Sequence, residues 1–480
     1  MSLGIDIGTT SIKICYIDKI NNVNFSCSKV HNSTIKNLPS SYHEQDPHKI
    51  LETIIYLIKN PPIQFNKIES LRISGQMHGI ILWNSLTNRK MEKCSNLITW
   101  MDERYDDTFL KYIRKKTGGS LSISKGYGLG TLLWLAKNNL SYIEEFNRCG
   151  TIMDFVCCYL KNNFDDVFIT DQNAVSWGFF NETSNNFSFD TLHRLFPKNF
   201  FGNSMVLPDI VTAEKTIGHT IETSSIIGLP NDIKIKASIG DLQGSLSVVN
   251  LNNPTLFIII GTSAQISFIL PDKLEIIEKL KEINLLVRNK FISNYSAWTG
   301  ALMNGGNALT KITNLICNLY SDIMSIDDTQ KEEMKERIFW EKLLSISPNI
   351  TQIKKYGLLF EKLFLDERSN SIIEEKYLNK GLFVCGLRED TSINDIFSSI
   401  AYKIVENMHN IISTTTLLSM GISKMVLVGK ADTPLFKNLI IEFYRNQTIL
   451  DLKETFPGSV SIDSALGSAM FDEIISFKSL

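Results

Sequence analysis

The sequence predicts an α/β protein with two lobes, because it contains two similar glycine loops and alternates strand and helix patterns around them. One loop is Ile7-Gly8-Thr9-Thr10, near the start of the chain, and the other is Ile260-Gly261-Thr262-Ser263, near the middle. Each follows an apolar strand and precedes another. Glycine in such a turn lets backbone amides and small hydroxyls come close to an anion. The pair therefore predicts two lobes that hold the phosphates of a nucleotide.

The two loops differ at the residue two places before the glycine, which is Asp6 in the first and Ile259 in the second. A carboxylate repels phosphates unless a divalent cation lies between them, so Asp6 is a candidate ligand for Mg²⁺. A short glycine motif can also be an ordinary hairpin turn. Two loops in one chain, with a carboxylate beside only one of them, favour the phosphate interpretation.

Length and composition limit the class of protein. A chain of 480 residues exceeds what one core usually supports, and the repeated loop predicts domains at 1–245 and 246–480. A net charge of −2 gives no reason to expect binding to nucleic acid or an anionic membrane. No signal-peptide pattern or membrane-length apolar run is present. The eight cysteines lack any Cys-x-x-Cys pair, which predicts reduced thiols in a cytoplasmic protein.

The first half alternates strand and helix patterns. The hairpin around Gly8 is followed by apolar residues at helical spacing, and these predict a helix over 47–59. Further apolar runs bounded by turn residues predict a strand over 68–74, paired strands over 80–83 and 96–100, a helix over 131–138 and a strand over 233–239.

The second half repeats this alternation. An amphipathic pattern predicts one helix over 393–420, with Gly421 as its C-cap. A strand over 424–428, a helix over 433–444 and a last helix over 464–476 follow. Small residues at 464–469 suit close packing of that last helix beside a ligand or a sheet. The charged, weakly patterned stretch 320–380 predicts a helical elaboration rather than a separate domain.

Polar side chains lie where strands are predicted to end. Asp241 follows Gly240, at the kind of sheet edge where open α/β proteins place ligands. A carboxylate there can accept a hydrogen bond from a substrate hydroxyl and take its proton late in a reaction. By itself, a Gly-Asp pair is more often a turn, and only the surrounding motifs favour catalysis. Trp100, with charged neighbours, is typical of a carbohydrate-binding surface.

Several blocks, taken in order, make the chain resemble the FGGY family of carbohydrate kinases. They are Asp6 to Lys13, Gly75 to Gly79, Gly240 to Gln243, Gly261 to Ser263 and, more weakly, Leu427 to Gly429 with Asp463 to Ala469. The resemblance implies the two-lobed ATPase fold shared by actin, hexokinase and Hsp70 chaperones. In that fold, two ribonuclease H-like domains form the active site in the cleft between them.

A second, narrower resemblance concerns the acceptor. Asn304-Gly305-Gly306-Asn307 and Gly240-Asp241-Leu242-Gln243 are most similar to the sedoheptulokinase branch of the family. Xylulokinases share the Ser74 to Gly79 block. The resemblance implies a monomer or homodimer that transfers the γ-phosphate of ATP, with Mg²⁺, to a terminal primary hydroxyl of a ketose, with sedoheptulose expected first.

The resemblance also implies roles for individual residues. Asp241 corresponds to the catalytic aspartate and Asp6 to a metal ligand. Residues expected to bind nucleotide are Gly8, Thr9, Thr10, Lys13, Gly261, Thr262, Ser263, Asn307 and Gly429. Residues expected to bind sugar are Gln76, Met77, His78, Trp100, Asp102, Arg104, Tyr127 and Asp241. Gly429-Lys430-Ala431-Asp432 departs from the run of glycines usual in the family, which puts the adenine contacts in question.

Other interpretations remain open at this point. Lys13 could face solvent, His78 could be a buried structural histidine, and Trp100 or Tyr127 could belong to the core. The chain could act on a pentulose, or it could be an ATPase of the actin or Hsp70 kind that has no use for the sugar block. It could also be a silent sugar-binding member of the family, although retention of Asp6 and Asp241 argues against that.

Overall fold

A computed structural model gives the fold of the chain. It describes residues 1–18, 23–61, 68–86, 93–118, 123–221, 228–249, 251–283, 285–292, 294–335, 340–362, 382–450 and 463–476. Asn88, in the polar turn expected between the predicted strands over 80–83 and 96–100, lies outside these residues. So do residues 336–339 and 363–380 of the charged stretch 320–380. Among the helices that are described, none combines the length and the apolar character needed to cross a bilayer.

The chain packs into two compact units that do not follow chain order. The first unit comprises Met1–Asn250, Lys290–Ser293 and Lys453–Leu480, and the second comprises Leu251–Asn289 and Asn294–Leu452. The end of the chain therefore packs in the same unit as its beginning. The predicted division at residue 245 follows chain order instead and stays a prediction.

A mixed sheet forms the centre of the first unit. Its strands are β1 (Ser2–Ile7), β2 (Ser11–Asp18), β3 (Val23–Val30), β4 (Ser70–Gly75), β5 (Thr216–His219), β6 (Lys234–Lys236) and β7 (Ile239–Gly240). The order is β5-β6-β4-β1-β2-β3, and β7 also pairs with β4. The predicted opening hairpin is confirmed as the antiparallel pair β1–β2. The predicted single strand over 233–239 is two short strands, β6 and β7.

The parallel strands of this sheet bring three sequence motifs to one edge. All residues of β1 from Leu3 to Ile7 are buried, as expected for a strand covered on both faces. In the parallel pair β1–β4, Ile7 lies opposite Gly75. In the parallel pair β7–β4, Gly240 lies opposite the same Gly75. The first loop, the Gly75 block and Asp241 therefore leave the sheet at the same carboxyl edge.

Helices cover both this sheet and a second apolar core in the first unit. They are Pro47–Lys59, Asp107–Thr117, Gly128–Asn138, Leu140–Ile143, Ile152–Leu160, Asp171–Trp177, Phe189–Leu195, Asp241–Leu246 and Ser464–Ser476, with a π-helical turn at Phe200–Ser204. The predictions over 47–59 and 464–476 are confirmed at both ends. The helix predicted over 131–138 starts three residues earlier, at Gly128.

The last of these helices, Ser464–Ser476, packs against β1, β2, β4 and the short helix Asp241–Leu246. The approach is possible only without side chains. A Cβ on Gly4 would overlap the carbonyl oxygen of Ala465, and a Cβ on Gly467 would overlap that of Gly244. The small residues predicted to allow close packing therefore do so against both a sheet and a helix.

Another mixed sheet is built mainly from residues of the second unit. Its strands are β8 (Thr255–Ile260), β9 (Ala264–Pro271), β10 (Val287–Ile292), β11 (Tyr295–Leu302), β12 (Lys424–Gly429) and β13 (Thr448–Ile449). The order is β10-β11-β9-β8-β12-β13. The second predicted loop is confirmed as the turn of the antiparallel pair β8–β9. β8 and β12 run parallel with Ile260 opposite Gly429, so both strands end at the same edge.

The helices of the second unit differ from the prediction at one point. They are Leu274–Lys281, Gly306–Met324, Asp328–Glu333, Glu341–Leu344, Ile350–Tyr356, Ile393–Ile411, Thr414–Ser419 and Pro434–Phe443, with a 3₁₀ turn at Lys430–Asp432. The single helix predicted over 393–420 is wrong, because the Ser413 side chain accepts a hydrogen bond from the amide of Thr416 and starts a new helix. The described part of 320–380 contains four short or partial helices and the strand Leu359–Lys362, which fits the predicted elaboration.

Short two-stranded pairs complete the fold. They are Glu44–Gln45 with Leu97–Ile98, Ile81–Trp83 with Arg148–Gly150, Phe168–Thr170 with Asp209–Val211, Phe180–Asn181 with Asn186–Phe187, and Leu359–Lys362 with Phe383–Cys385. The predicted pairing of 80–83 with 96–100 is therefore only partly correct. Ile80 and Ile98 form an isolated antiparallel bridge, but each run has its main partner elsewhere in the chain.

Candidate active site

The first loop is supported by His31, which lies outside the predicted motifs. The amide of Gly8 donates to the carbonyl of Ser11, at 3.1 Å, and closes the turn. The buried His31 lies 3.1 Å through Nε2 from the carbonyl of Gly8, and its Nδ1 accepts from the amide of Ser33. Nε2 is therefore the donor nitrogen. Burial lowers the pKa of His31, which favours this neutral form.

A second contact links the loop to the predicted sugar block. Gln45 Nε2 donates to the carbonyl of Thr9 at 2.7 Å, and Gln45 Oε1 accepts from Gln76 Nε2 at 2.9 Å. Trp100 is 43% exposed, and its indole N–H donates to the hydroxyl of Thr9 at 3.1 Å. The loop carbonyls are thus held by side chains, and two predicted sugar-binding residues are connected to the predicted phosphate loop.

Asp6 is a buried carboxylate at the end of β1, only 7% exposed. Burial raises the pKa of Asp6 to about 7, and the negative charges of Asp241 and Asp463 act in the same direction. Lys13 and the hydroxyl of Ser74, which is 3.4 Å from Oδ1, partly oppose this rise. The charges of two other carboxylates therefore act on Asp6 at this edge of the sheet, and a cation beside Asp6 would stabilise its ionised form.

Asp463 was part of a weak motif, and its place in the fold could not be read from the sequence. It stands immediately before the helix Ser464–Ser476, where its Oδ1 accepts from the amides of Ala465 and Leu466. Its Oδ2 lies 3.4 Å from Lys13 Nζ. The charge of Lys13, predicted to face phosphate, is therefore engaged by a carboxylate in this structure.

Asp241 begins the helix Asp241–Leu246 and is open to water, and its Oδ1 accepts from the amide of Leu242 at 2.7 Å. Protein atoms still surround the carboxylate closely enough that reduced hydration raises the pKa of Asp241 to about 6. An accessible carboxylate whose pKa lies just below neutral is mostly ionised at pH 7 and is suited to accept a proton from a bound hydroxyl.

His78 and Tyr127, predicted separately, lie together. Their rings stack with centroids 4.7 Å apart and planes 6° apart. His78 Nδ1 lies 2.7 Å from the carbonyl of Ser176, so this nitrogen carries a proton. His78 also has a φ of 74°, an uncommon conformation for a residue other than glycine. Gln76 and Met77, which precede it, are both buried.

Asp102 is completely buried, and its oxygens are already in use. Oδ2 accepts from the amide of His43 at 2.7 Å, and both oxygens accept from the guanidinium of Arg104. Arg104 also contacts Glu44 at 2.7 Å and lies over the ring of Tyr42. This arrangement accounts for Asp102 and Arg104 as a structural pair, and their contact with sugar stays a prediction.

The second loop closes like the first but is one residue shorter. The amide of Gly261 donates to the carbonyl of Ser263 at 2.9 Å, and Ile260 pairs with Ala264, whereas Ile7 pairs with Ile12. The amides of Gly306 and Asn307 donate to the carbonyls of Gly261 and Thr262, both at 2.9 Å. The start of the helix Gly306–Met324 therefore lies against the loop.

Asn307 and Gly429 shape the surroundings of the second loop. The Asn307 side chain accepts from the amide of Gly305 and donates to the carbonyl of Met303, so it holds this turn in place. Gly429 has a φ of 68°, and a Cβ there would lie 2.8 Å from the carbonyl oxygen of Ile260. Both the conformation and the space require glycine at position 429.

The residues around Asp6 suit a magnesium ion that is completed by substrate. Mg²⁺ is usually held by one or two carboxylates together with water and phosphate oxygens. No group of three or more His, Cys, Asp or Glu side chains, within the part of the chain that the structure describes, is arranged to hold a metal by itself. Asp6 fits the first pattern, because it is buried beside a phosphate-type loop and its ionised form lacks sufficient compensation.

Comparison with known proteins agrees with these features. A family model described as the FGGY family of carbohydrate kinases, N-terminal domain, matches residues 1–247. The sedoheptulokinase of Mus musculus is 24% identical over 98% of this chain and 96% of its own length. The xylulose kinase of Staphylococcus xylosus is 22% identical over 87% of this chain and 82% of its own length.

Solved structures share the fold. The crystal structure of a xylulose kinase from Rhodospirillum rubrum has a TM-score of 0.69 and 12% identity, and the match covers all of this chain and 90% of that one. The likeness confirms the predicted fold class, the two-domain ATPase fold found in actin. At this identity it carries no information about the substrate.

Proposed function

Because the chain belongs to the FGGY family of carbohydrate kinases, and is therefore a phosphotransferase with an alcohol group as acceptor, we propose that it phosphorylates a ketose. The donor is ATP, and the expected acceptor is sedoheptulose, at its terminal primary hydroxyl. The likeness to a sedoheptulokinase along nearly the whole chain supports this acceptor. The observation that carries the assignment is the register of β1, β4 and β7, which brings the first loop, the Gly75 block and Asp241 to one edge.

Asp241 is the proposed catalytic residue. Its carboxylate accepts a hydrogen bond from the primary hydroxyl and takes the proton as the bond to phosphorus forms. A loose phosphoryl-transfer transition state needs little deprotonation beforehand, so orientation is the larger part of this role. The exposure of Asp241 and its raised pKa support the assignment.

The sugar is proposed to lie near His78, Tyr127 and Trp100. The stacked rings of His78 and Tyr127 offer an apolar face and polar edges, which suit the mixed surface of a sugar. Gln76 and Met77, which precede His78 in the chain, are buried, so we expect them to shape the pocket. Asp102 and Arg104 are also proposed to contribute to sugar binding, as a pair held together by hydrogen bonds.

Nucleotide phosphates are proposed to bind at both glycine loops. In the first unit, these are Gly8, Thr9 and Thr10, with Lys13 near them. In the second unit, the exposed hydroxyls of Thr262 and Ser263 serve the same purpose beside Gly261, and Gly429 leaves room for the base. Asp6 is the residue that would hold Mg²⁺, which neutralises phosphate charge when bound.

A pentulose kinase is the second candidate. The Ser74 to Gly79 block shared with xylulokinases and the likeness to a xylulose kinase over most of the chain favour it. Both candidates use the same residues for catalysis. They differ only in the length of acceptor that the first unit admits.

The test is ADP release with MgATP, measured with sedoheptulose, D-xylulose, D-ribulose, L-ribulose and glycerol in parallel. We expect turnover to be highest with sedoheptulose. Asp241→Asn should lower turnover by about 10²- to 10⁴-fold, the usual contribution of a general base. The exposed Asp209, replaced by Asn, is the matched control and should change nothing.

Each other outcome has a definite meaning. A preference for a pentulose would keep the kinase and replace the acceptor. ADP release that does not depend on any sugar would support the ATPase interpretation, and sugar binding without turnover would indicate a silent member of the family.

A further inference from the structure

We propose that Lys430 binds a phosphate group of the nucleotide through its ammonium group. The inference rests on the proposed function only in taking a nucleotide as the ligand. It concerns the position at which the sequence departs from the glycine run of the family, Gly429-Lys430-Ala431-Asp432.

Strand pairing places Lys430 beside the second loop. Gly429 is the last residue of β12 and lies opposite Ile260, the last residue of the parallel strand β8. The next residue on one strand is Lys430, and on the other it is Gly261. Two adjacent parallel strands thus end with a lysine and with a Gly-Thr-Ser loop, side by side.

The side chain of Lys430 lies over backbone that carries no side chain. A Cβ on Gly306 would be 2.9 Å from Lys430 Nζ and 3.2 Å from its Cε. The amide of Gly306 is in turn bonded to the carbonyl of Gly261. The half-buried Lys430 therefore places its ammonium group beside Gly306, whose amide is bonded to the second loop. The ring of Trp340, 5.7 Å from Nζ, lies near the same group.

The charges around Lys430 leave it available for an anion. Within the described ranges of the chain, no carboxylate lies within ion-pair distance of its ammonium group. The nearest acid in sequence, Asp432, is paired with Lys437 at 2.9 Å. By contrast, Lys13 beside the first loop is already paired with Asp463. A half-buried cation without a carboxylate partner, beside a loop with exposed hydroxyls, is suited to bind phosphate oxygens.

The experiment compares ADP with adenosine, which lacks phosphate. Binding of each to the full chain is measured by calorimetry for the wild type, Lys430→Ala, Lys430→Arg and the control Lys424→Ala. Lys424 begins the same strand β12, so it lies at the opposite edge of the sheet. We expect Lys430→Ala to weaken ADP by about 10- to 100-fold, the size of one charge-assisted hydrogen bond, and to leave adenosine unchanged.

The other variants and the other outcomes for Lys430→Ala test whether the ammonium group binds phosphate. Lys430→Arg should retain most of the affinity for ADP, and Lys424→Ala all of it. Equal losses for ADP and adenosine would show that Lys430 packs against the base beside Trp340, which would overturn the proposal, as would unchanged binding of ADP. If Lys430→Ala does not fold, as judged by its melting curve, Lys430→Met keeps the apolar stem and removes only the charge. Absence of ketose-dependent turnover in the wild type would remove the proposed acceptor but leave this result readable.

Discussion

At Asp6, burial and two neighbouring carboxylates all oppose ionisation. Because the pKa is raised to about 7 from 3.8, the protonated form favours the folded state, and this stabilisation is lost as the pH rises through 7. We expect Asp6→Asn to be more stable than the wild type at pH 8 without magnesium, by up to about 4 kcal/mol, and little different at pH 4. Thermal melting across this range measures the difference.

Stabilisation by MgADP, compared between the wild type and Asp6→Asn, tests whether Asp6 holds the cation. With MgADP present at pH 8, the wild type should gain stability that Asp6→Asn does not. A variant that is stabilised equally by MgADP would rule out Asp6 as the residue that holds the cation. Asp209→Asn, an exposed aspartate, provides the baseline for loss of one negative charge.

The raised pKa of Asp241 predicts the acid side of the pH–rate profile. A general base acts only when ionised, so kcat/KM should fall tenfold for each pH unit below about 6, the pKa of Asp241. The assay is the ketose-dependent release of ADP at saturating magnesium between pH 5 and 8. A profile that stays flat down to pH 5 would contradict the role given to this carboxylate.

Substitution of His31 is expected to raise KM for ATP and to change KM for the ketose little. His31→Ala removes the donor to the carbonyl of Gly8 and the acceptor for the amide of Ser33, which loosens the first loop. We expect KM for ATP to rise several-fold, while KM for the ketose changes little. His31→Gln can still donate to Gly8 and should recover part of the loss. Similar increases in both KM values would indicate a general defect in folding instead.

At the scale of elements, the close crossing of the helices Asp241–Leu246 and Ser464–Ser476 requires glycine at position 467. A Cβ on Gly467 would overlap the carbonyl of Gly244, which belongs to the helix that Asp241 begins. Gly467→Ala should therefore destabilise the protein by about 1–3 kcal/mol and lower kcat by displacing Asp241. Melting curves and ADP release measure the two effects. Met470→Ala, a change to a half-buried residue on the same helix, should affect kcat much less.

The elements show which features local sequence can predict. Pro47–Lys59 and Ser464–Ser476 were predicted at both ends, since their apolar spacing and flanking residues are local signals. The helix over 393–420 was wrong at Ser413, where a cap interrupts an amphipathic pattern that continues beyond it. Pairing of the 80–83 run with 96–100 was only partly correct for another reason, because main partners such as Arg148–Gly150 are distant in the chain.

In the candidate site, too, residues with a local sequence signal could be proposed, and residues brought in from distant parts of the chain could not. Residues within glycine motifs, such as Asp6 and Asp241, could be predicted because each motif has its own chemistry. His31, Gln45 and Asp463 could not, because strand pairing and helix packing bring them to the loop from other parts of the chain. Asp102 shows the converse, since the family resemblance implied that it binds sugar, yet its oxygens are occupied by Arg104 and a backbone amide.

At the scale of the whole molecule, the first unit needs both ends of the chain. Ala465, Leu466 and Phe471 of the last helix are fully buried, and the helix packs against β1, β2 and β4. A variant that ends at residue 462 loses several kcal/mol of apolar burial, comparable with the ~5–15 kcal/mol that stabilises most proteins. We expect it to lack a cooperative melting transition, whereas the exposed change Asp209→Asn should leave the transition as it is in the full chain.

Because the first unit combines early and late parts of the chain, its folding depends on how far synthesis has progressed. A ribosome releases the β1–β4 region and the segment that carries Asp241 long before it completes the helix that supports both. Nascent chains therefore expose an apolar sheet surface for much of translation, which makes them clients for chaperones that bind such surfaces. Products of translation that stalls before Ser464 should remain inactive and be degraded, so that activity begins only once the helix Ser464–Ser476 has been made.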